Sequence, residues 1–149
     1  MKSIFNVEDA EDLINRSRSV TSDSKALWGN MNASEMFYHC NFTNKQILEG
    51  EMEKTKNTFK QNFKKTIALY FINHFPKNIK GLKRNDAKGK VSTEEFEKVK
   101  GEFPNIIRKF SRHNNEISVM HPAFGNLSNR EWGISTWKHI DHHLRQFGV

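Results

Sequence analysis

Three capping boxes mark the beginnings of helices in this sequence. Each box places a side-chain acceptor at the N-cap and a glutamate three residues later, which satisfies backbone N–H groups that a first helical turn leaves free. The boxes are Asn32 with Glu35, Ser92 with Glu95, and Ser128 with Glu131. The pattern predicts three helices with defined starts and limits the folds open to the chain.

Apolar residues at helical spacing predict two more helices, at residues 7–19 and 58–74. No segment of comparable length alternates with period two, as a half-buried strand would. We therefore predict an all-α fold, most simply a four-helix bundle with an extra helix in a long crossover. The predicted apolar faces are Ala10, Leu13, Ile14 and Ser17 in the first helix, and Phe59, Phe63, Ile67, Tyr70 and Phe71 in the other.

Length and cysteine content bound the class of protein. A chain of 149 residues is long enough for one core, so we predict a single domain over residues 1–149. The single cysteine, Cys40, cannot form an intramolecular disulfide, and the N-terminus lacks an apolar signal core, which favours the cytoplasm. The longest apolar stretch, residues 67–75, is too short to span a bilayer. The expectation is a soluble protein without a membrane partner.

The formal charge of +7 is concentrated in the middle of the chain. Residues 51–110 contain 15 Lys and Arg against 7 Asp and Glu, which leaves a slightly acidic remainder. Within this region, residues 77–90 have six basic residues, two glycines and no apolar periodicity, which is typical of a solvated loop. No aromatic platform or recognition helix adjoins that segment, so a nucleic-acid partner is not expected.

The predicted last helix, residues 128–146, carries the clearest chemical pattern. His139 and His143 are four residues apart and therefore lie on one helical face, where their ring nitrogens can turn toward one point. The helix predicted at residues 32–48 offers a third imidazole, His39. Bundles build metal sites from facing helices, and three protein ligands with an open position are typical of a catalytic zinc-type centre. The alternative is that these histidines are ordinary polar groups that pack in the core.

Four neighbouring residues are weaker candidates for supporting roles around that centre. His142 points about a hundred degrees away from His143, so it is a supporting or surface group in preference to a fourth ligand. Gln146 could orient a ligand imidazole, or be polar surface at a helix end. Cys40 is interpreted as a small buried thiol, with a reactive nucleophile as the alternative. His121, which precedes a proline, either fixes a turn or lines a pocket, and Asp141 is interpreted as a solvated charge.

The C-terminal pattern resembles a known family. His139-x-x-His142-His143-x-x-Gln146 is similar to the HxxHHxxQ signature of the DinB/YfiT-like superfamily of metalloenzymes, whose members place a further metal-binding histidine on the second helix, where this chain has His39. The segments WGNMNASEM before His39, HPAFG at residues 121–125, and the terminal HLRQFG resemble an uncharacterised branch of that superfamily.

The resemblance implies an up-down-down-up four-helix bundle. It also implies a divalent metal, zinc or nickel, on His39, His139 and His143, together with frequent dimerisation, so a homodimer is expected. Some members are S-transferases or isomerases that use a low-molecular-weight thiol. No residue here identifies that thiol or its acceptor, and no organic cofactor is evident.

Two functions from different classes stay open. The first is a metal-dependent S-transferase or hydrolase that acts on a small molecule at the three-histidine centre. The second is a non-catalytic helical bundle that binds a partner. The sequence places no Asp or Glu among the three histidines in the way that the HExxH glutamate is placed, so a hydrolase would depend on the metal alone to activate water, whereas thiol transfer needs no carboxylate.

Overall fold

A computed structural model describes residues 1–52, 56–78 and 85–149 of the chain. These parts contain helices and no β-strand, which confirms the all-α class. A π-helical turn, Ile67–Phe71, continues α3 directly, and a 3₁₀ turn, Thr93–Glu95, leads into α4. The α-helices are α1 (Val7–Ser17), α2 (Ala33–Glu49), α3 (Phe59–Thr66), α4 (Phe96–Ser111) and α5 (Asn129–Gln146).

Four of these helices, α1, α2, α4 and α5, pack against one another around the hydrophobic core. Aromatic rings join α2 to α4, because Phe37 lies edge-on to Phe96 and Phe103 at centroid distances of 5.9 and 5.4 Å. The predicted apolar face of α1 is confirmed, since all four of its residues are buried. None of the described helices is both long enough and apolar enough to cross a membrane.

The capping boxes are present where the sequence predicts them. Asn32, Ser92 and Ser128 each exchange two hydrogen bonds with the glutamate three residues later. A fourth box, Thr58 with Gln61, begins α3. This box has a glutamine where the three predicted boxes have a glutamate. The caps therefore determine helix starts through local contacts that survive in the tertiary structure.

The predicted burial of the face at residues 59–71 is wrong. Phe59, Phe63 and Phe71 are 87%, 60% and 77% exposed, and Ile67 and Tyr70 are also exposed. The helix ends at Phe71 instead of residue 74, and only Ala68 and Leu69 of the π-helical turn are buried. Periodicity predicts an apolar face but does not say what covers it, and here the four packed helices do not.

A lysine anchors the end of this segment to α5. Lys138 is buried, and its ammonium donates to the carbonyls of Ala68, Leu69 and Ile72 at 2.8, 2.8 and 2.6 Å. The carbonyls at a helix C-terminus lack partners within the helix and attract positive charge. Lys138 therefore terminates the π-helical turn and holds it beside α5, and burial lowers the pKa of its ammonium.

A buried carboxylate makes a second anchor next to Lys138. The interpretation of Asp141 as a solvated charge is wrong: its side chain is 5% exposed and accepts from Arg16 at 2.9 Å and from His74 at 3.1 Å. Through these contacts Asp141 connects α1 and the segment after α3 to α5. Removing one partner would leave a buried charge uncompensated.

Two glycines within helices should respond oppositely to alanine. A Cβ on Gly133 in α5 would lie 2.3 Å from Ser3 Oγ and 2.7 Å from Phe5, whereas a Cβ on Gly101 in α4 would meet nothing within 4 Å. We expect Gly133→Ala to lower the free energy of unfolding by about 1–3 kcal/mol through overpacking. Gly101→Ala should raise it by about 0.5–1 kcal/mol through helix propensity.

Urea denaturation of the two variants and the parent, followed by circular dichroism, measures these changes. Since both substitutions are the same and both sites are helical, propensity alone would move the midpoints in one direction. Equal shifts would contradict the close approach of the N-terminal segment to α5.

Candidate metal centre

The three predicted ligand histidines lie together between α2 and α5. α2 carries His39, and α5 carries His139 and His143 on successive turns. His39 Nε2 is 3.0 Å from His139 Nε2, which is 3.2 Å from His143 Nε2. Among the described residues these three form a group whose ligand atoms all lie within 4.8 Å of one another. The structure thus brings together residues separated by a hundred positions in the sequence.

A backbone carbonyl determines the tautomer of His39. Its Nδ1 lies 2.8 Å from the carbonyl oxygen of Asn85. A carbonyl can only accept, so Nδ1 carries the proton and the neutral ring presents an unprotonated Nε2 to the cluster. The basic segment after α3 therefore contributes to the site at its C-terminal end.

Gln146 does the same for His143. The Gln146 amide donates through Nε2 to the carbonyl of Trp28 at 2.6 Å, which turns its Oε1 toward His143 Nδ1 at 3.0 Å. His143 Nδ1 must then donate, and its Nε2 faces the cluster as a lone pair. Gly29 permits this arrangement, because a Cβ there would lie 2.6 Å from Gln146 Nε2. Of the two open interpretations of Gln146, the structure supports the orienting one.

The donor set fits a cation. His39 and His143 both direct lone pairs at His139 Nε2, which can carry at most one proton and cannot satisfy both rings well. Tetrahedral zinc with bonds of about 2.0–2.1 Å to nitrogen separates its ligand atoms by about 3.3 Å. Two of the three separations here, 3.0 and 3.2 Å, are close to that value, and the third pair lies within 4.8 Å. A divalent ion on three Nε2 atoms would satisfy every lone pair.

Burial keeps the cluster neutral. It lowers the pKa of His39, and it lowers the pKa of His139 and His143 well below the ordinary value, with further lowering from the neighbouring imidazoles. Metal ligation requires neutral imidazole, so no proton must be displaced near pH 7. His39 and His139 are partly exposed, whereas His143 is buried.

His142 lies beside the cluster and outside the group of three histidines. Its Nδ1 donates to the carbonyl of Phe75 at 3.3 Å, and its ring lies edge-on to His143 and Trp28 at 5.2 and 5.8 Å. Burial lowers the pKa of His142 as well. Its predicted place outside the ligand group agrees with this geometry.

His121 lies in the turn before α5. Its Nδ1 accepts from the backbone N–H groups of Ala123 and Phe124 at 3.1 and 3.2 Å, so its Nε2 carries the proton. The ring stacks on Phe124 at 4.4 Å and lies 5.4 Å from Trp132. Burial lowers the pKa of His121 to about 4. Of the two interpretations of His121, the turn-fixing one is supported by these hydrogen bonds.

Cys40 does not join the site. Its thiol lies in the hydrophobic core, 4.0 Å from the Met36 sulfur, and burial raises its pKa strongly. A thiol in that state is a poor nucleophile. Cys40 as a pocket residue is therefore wrong, and the interpretation as a small buried thiol agrees with the structure.

The interpretation of residues 77–90 as a solvated loop needs a partial correction. Residues 79–84 lie outside the described parts. Beyond them, Ala87 is fully buried, and the backbone N–H of Gly89 donates to Glu35 at 2.9 Å. With the Asn85 carbonyl on His39, these contacts attach the end of the segment to α2. Backbone contacts of this kind cannot be predicted from a lysine-rich composition.

Several residues that position the site carry no recognisable sequence signal. The carbonyls of Asn85, Trp28 and Phe75 act through backbone atoms, which every residue type possesses. The buried pair Lys138 and Asp141 offers a weak signal, since with His142 they form a second stripe along α5 at helical spacing.

Comparison with protein families adds one result. The model of a family described as a protein of unknown function (DUF1569) matches residues 2–148. The chain belongs to the DUF1569 family. No curated protein and no solved structure matches it.

The neutral histidines should make the metal-free protein acid-sensitive. In an unfolded chain each imidazole has a pKa of about 6.5. The folded pKa values of His39, His121, His139 and His143 are lower, so below about pH 6.5 the unfolded state binds more protons and stability falls. Above that pH both states are neutral and the contribution is complete.

Urea denaturation at pH 7.5 and pH 5.5, in chelator, measures this loss. Each buried imidazole that stays neutral should cost about 1 kcal/mol at the lower pH. His143→Gln removes one such imidazole, so the loss in that variant should be smaller than in the parent by about that amount. An identical loss in both proteins would contradict the proton balance.

Proposed function

We propose that this DUF1569 protein is a metal-dependent enzyme that acts on a small molecule. His39, His139 and His143 hold a divalent ion, with zinc or nickel as the metals best suited to imidazole ligands. The observation that carries the proposal is the convergence of three neutral Nε2 atoms, two of them with tautomers set by other groups.

The residues of the chain define what such a site can do. A divalent ion bound here supplies Lewis acidity, which lowers the pKa of a water or thiol and polarises an electrophile. Asn85 and Gln146 hold two ligand rings in fixed orientation, and such outer hydrogen bonds make the rings stronger ligands. Partial exposure of His39 and His139 gives a substrate access to the cluster.

The nearby carboxylates favour thiol transfer over hydrolysis. Glu35 accepts from the backbone N–H groups of Asn32 and Gly89, and Asp141 pairs with Arg16 and His74. These carboxylates serve structural contacts. The carboxylate of Asp86, which interacts with His39 electrostatically, is exposed and accepts from a backbone N–H. No carboxylate belongs to the histidine group among the described residues. A thiol-dependent S-transfer needs no carboxylate base, so a low-molecular-weight thiol is the proposed co-substrate.

We further propose that the four packed helices form a DinB/YfiT-like bundle with up-down-down-up topology, in which α3 belongs to the long crossover. Support comes from the HxxHHxxQ pattern on α5 and from His39 on α2, where that superfamily places its third histidine. A solved structure of the metal-loaded protein would test the topology directly.

A non-catalytic bundle is the second candidate. The observation that favours it is an exposed aromatic face on α3 and the π-helical turn, which is typical of a binding surface. The two candidates differ in which residues function requires, because catalysis depends on the histidines and binding depends on the exposed face.

Metal content tests the proposal first. We expect the purified protein to carry near-stoichiometric divalent metal, and His143→Ala to lose it, because two imidazoles hold an ion far more weakly than three. Elemental analysis before and after chelation measures the content. His142→Ala is the matched control: it removes a neighbouring imidazole from the same helix and should retain the metal.

Circular dichroism establishes that both variants are helical before their metal contents are compared. Absence of metal in the parent, with no uptake from added zinc or nickel, would overturn the proposal. Equal metal content in all three proteins would place the ion elsewhere. Retention in the parent and in His142→Ala alone supports the three-histidine centre.

Two model reactions test the chemistry. The metal-loaded protein is mixed with cysteine and chlorodinitrobenzene for S-transfer, and with nitrophenyl acetate for hydrolysis. We expect a metal-dependent rate with the thiol that disappears in His143→Ala and persists in His142→Ala. Turnover of neither substrate by a metal-loaded protein would favour the non-catalytic bundle.

Gln146 should act as a positioning residue. Replacing it with leucine removes the acceptor that holds His143 Nδ1 without removing a ligand, so we expect metal affinity to fall by about 10–100-fold. Competition with a chromophoric chelator measures the affinity. Gln61→Leu, which breaks the contact with the Pro122 carbonyl away from the cluster, is the control and should leave affinity unchanged.

A further inference from the structure

α3 and the π-helical turn present a continuous apolar surface to solvent, here called the aromatic face. Its five residues recur at helical spacing and are each 39% to 87% exposed. Thirteen residues of helix from the first to the last span about 20 Å. The aromatic face consists of Phe59, Phe63, Ile67, Tyr70 and Phe71.

The protein holds this segment by its polar side, which turns the aromatic face outward. Gln61 Nε2 donates to the carbonyl of Pro122 at 3.3 Å. Lys65 Nζ donates to the carbonyl of Asn126 at 3.2 Å and pairs with Glu131 at 3.1 Å. Together with the Lys138 anchor, these contacts orient the segment opposite to an ordinary amphipathic helix, whose apolar side faces the core.

Lysines border the aromatic face. Lys60 and Lys64 directly follow Phe59 and Phe63, so they lie about a hundred degrees farther around the helix, and both are exposed. Residues 54–85 contain nine Lys and Arg and no Asp or Glu. A surface of aromatic side chains with a positive border is complementary to a partner that is apolar and negatively charged.

The same charge pattern argues against a second copy of this chain as the occupant. Two aromatic faces packed antiparallel about a two-fold axis would place lysines of both copies at one rim. The segment from 54 to 85 has no acidic residue to neutralise them, and Glu131 beside it already pairs with Lys65. Like charges at an interface rim are unfavourable. A bilayer with anionic headgroups offers apolar depth for the rings and negative charge for the lysines.

We infer that the aromatic face docks on the surface of an anionic lipid bilayer, with its rings in the headgroup region and Lys60 and Lys64 at the phosphates. This is peripheral binding and requires no spanning helix. It revises the expectation of no membrane partner, which rests on the length of apolar segments and excludes only spanning. It does not depend on the metal centre.

Vesicle flotation of the full chain tests the inference. The probes are vesicles of phosphatidylcholine alone and of phosphatidylcholine mixed with phosphatidylserine, at low and at physiological ionic strength. We expect binding to the anionic vesicles that weakens with salt, and little binding to the neutral ones. Phe59→Ser with Phe63→Ser should reduce the partition coefficient by at least about tenfold.

Each double variant has a matched control elsewhere on the surface. Val7→Ser with Leu27→Ser removes two exposed apolar side chains outside the aromatic face. Lys60→Glu with Lys64→Glu is compared with Lys98→Glu and Lys109→Glu, which changes net charge equally at exposed sites on α4. The controls should bind within about twofold of the parent, whereas both aromatic-face variants should lose binding.

All four variants alter exposed side chains, so melting temperatures should remain near that of the parent and confirm folding. Failure of the parent to bind anionic vesicles overturns the inference, as does equal loss in a variant and its control. Light scattering that shows a dimer, converted to monomer by the paired Phe substitutions, would assign the face to a second copy instead.

Discussion

Three imidazole rings meet in T-shaped contacts between α2 and α5, and the rest of the structure must supply partners for their polar nitrogens. Each ring nitrogen is polar, and a buried polar group without a partner is costly. Here Asn85 and Gln146 take the outward protons of His39 and His143, which leaves three Nε2 atoms facing one another. A cation on those atoms would give each lone pair a partner. The need to satisfy buried ring nitrogens therefore explains both the local contacts and the proposed chemistry.

α5 contacts α1, α2 and the π-helical turn, and different sides of this helix carry the residues that make those contacts. One stripe carries His139 and His143, and the neighbouring stripe carries Lys138, Asp141 and His142. The second stripe holds the segment after α3 through the carbonyls of the π-helical turn and Phe75. A buried charge without a partner is costly, and the backbone carbonyls provide partners for the Lys138 ammonium. The three-histidine cluster and the segment that carries the aromatic face therefore both contact α5, although their proposed functions are independent.

Features that depend on residues close together in the sequence could be predicted, whereas features that depend on distant residues could not. Capping boxes and the apolar face of α1 depend on residues within one or two turns, so pattern reasoning located them. The grouping of the three histidines was predictable because His139 and His143 share a helical face and His39 falls on a predicted helix. The exposure of Phe59 and Phe63, and the burial of Lys138 and Asp141, were not predictable, because periodicity identifies a face without identifying its neighbour.

The sequence by itself determined an all-helical chain, three of its helix starts and the shared helical face of His139 and His143, since these follow from spacing along a helix. The packing of α2 against α5 brought His39 to them. Membership in the DUF1569 family covers residues 2–148 and adds no function. The tertiary structure decided which nitrogen of each ring faces the cluster, because backbone carbonyls choose the tautomer. It also decided that α3 turns its aromatic residues to solvent, because Gln61 and Lys65 bind the body of the protein through contacts between residues distant in sequence.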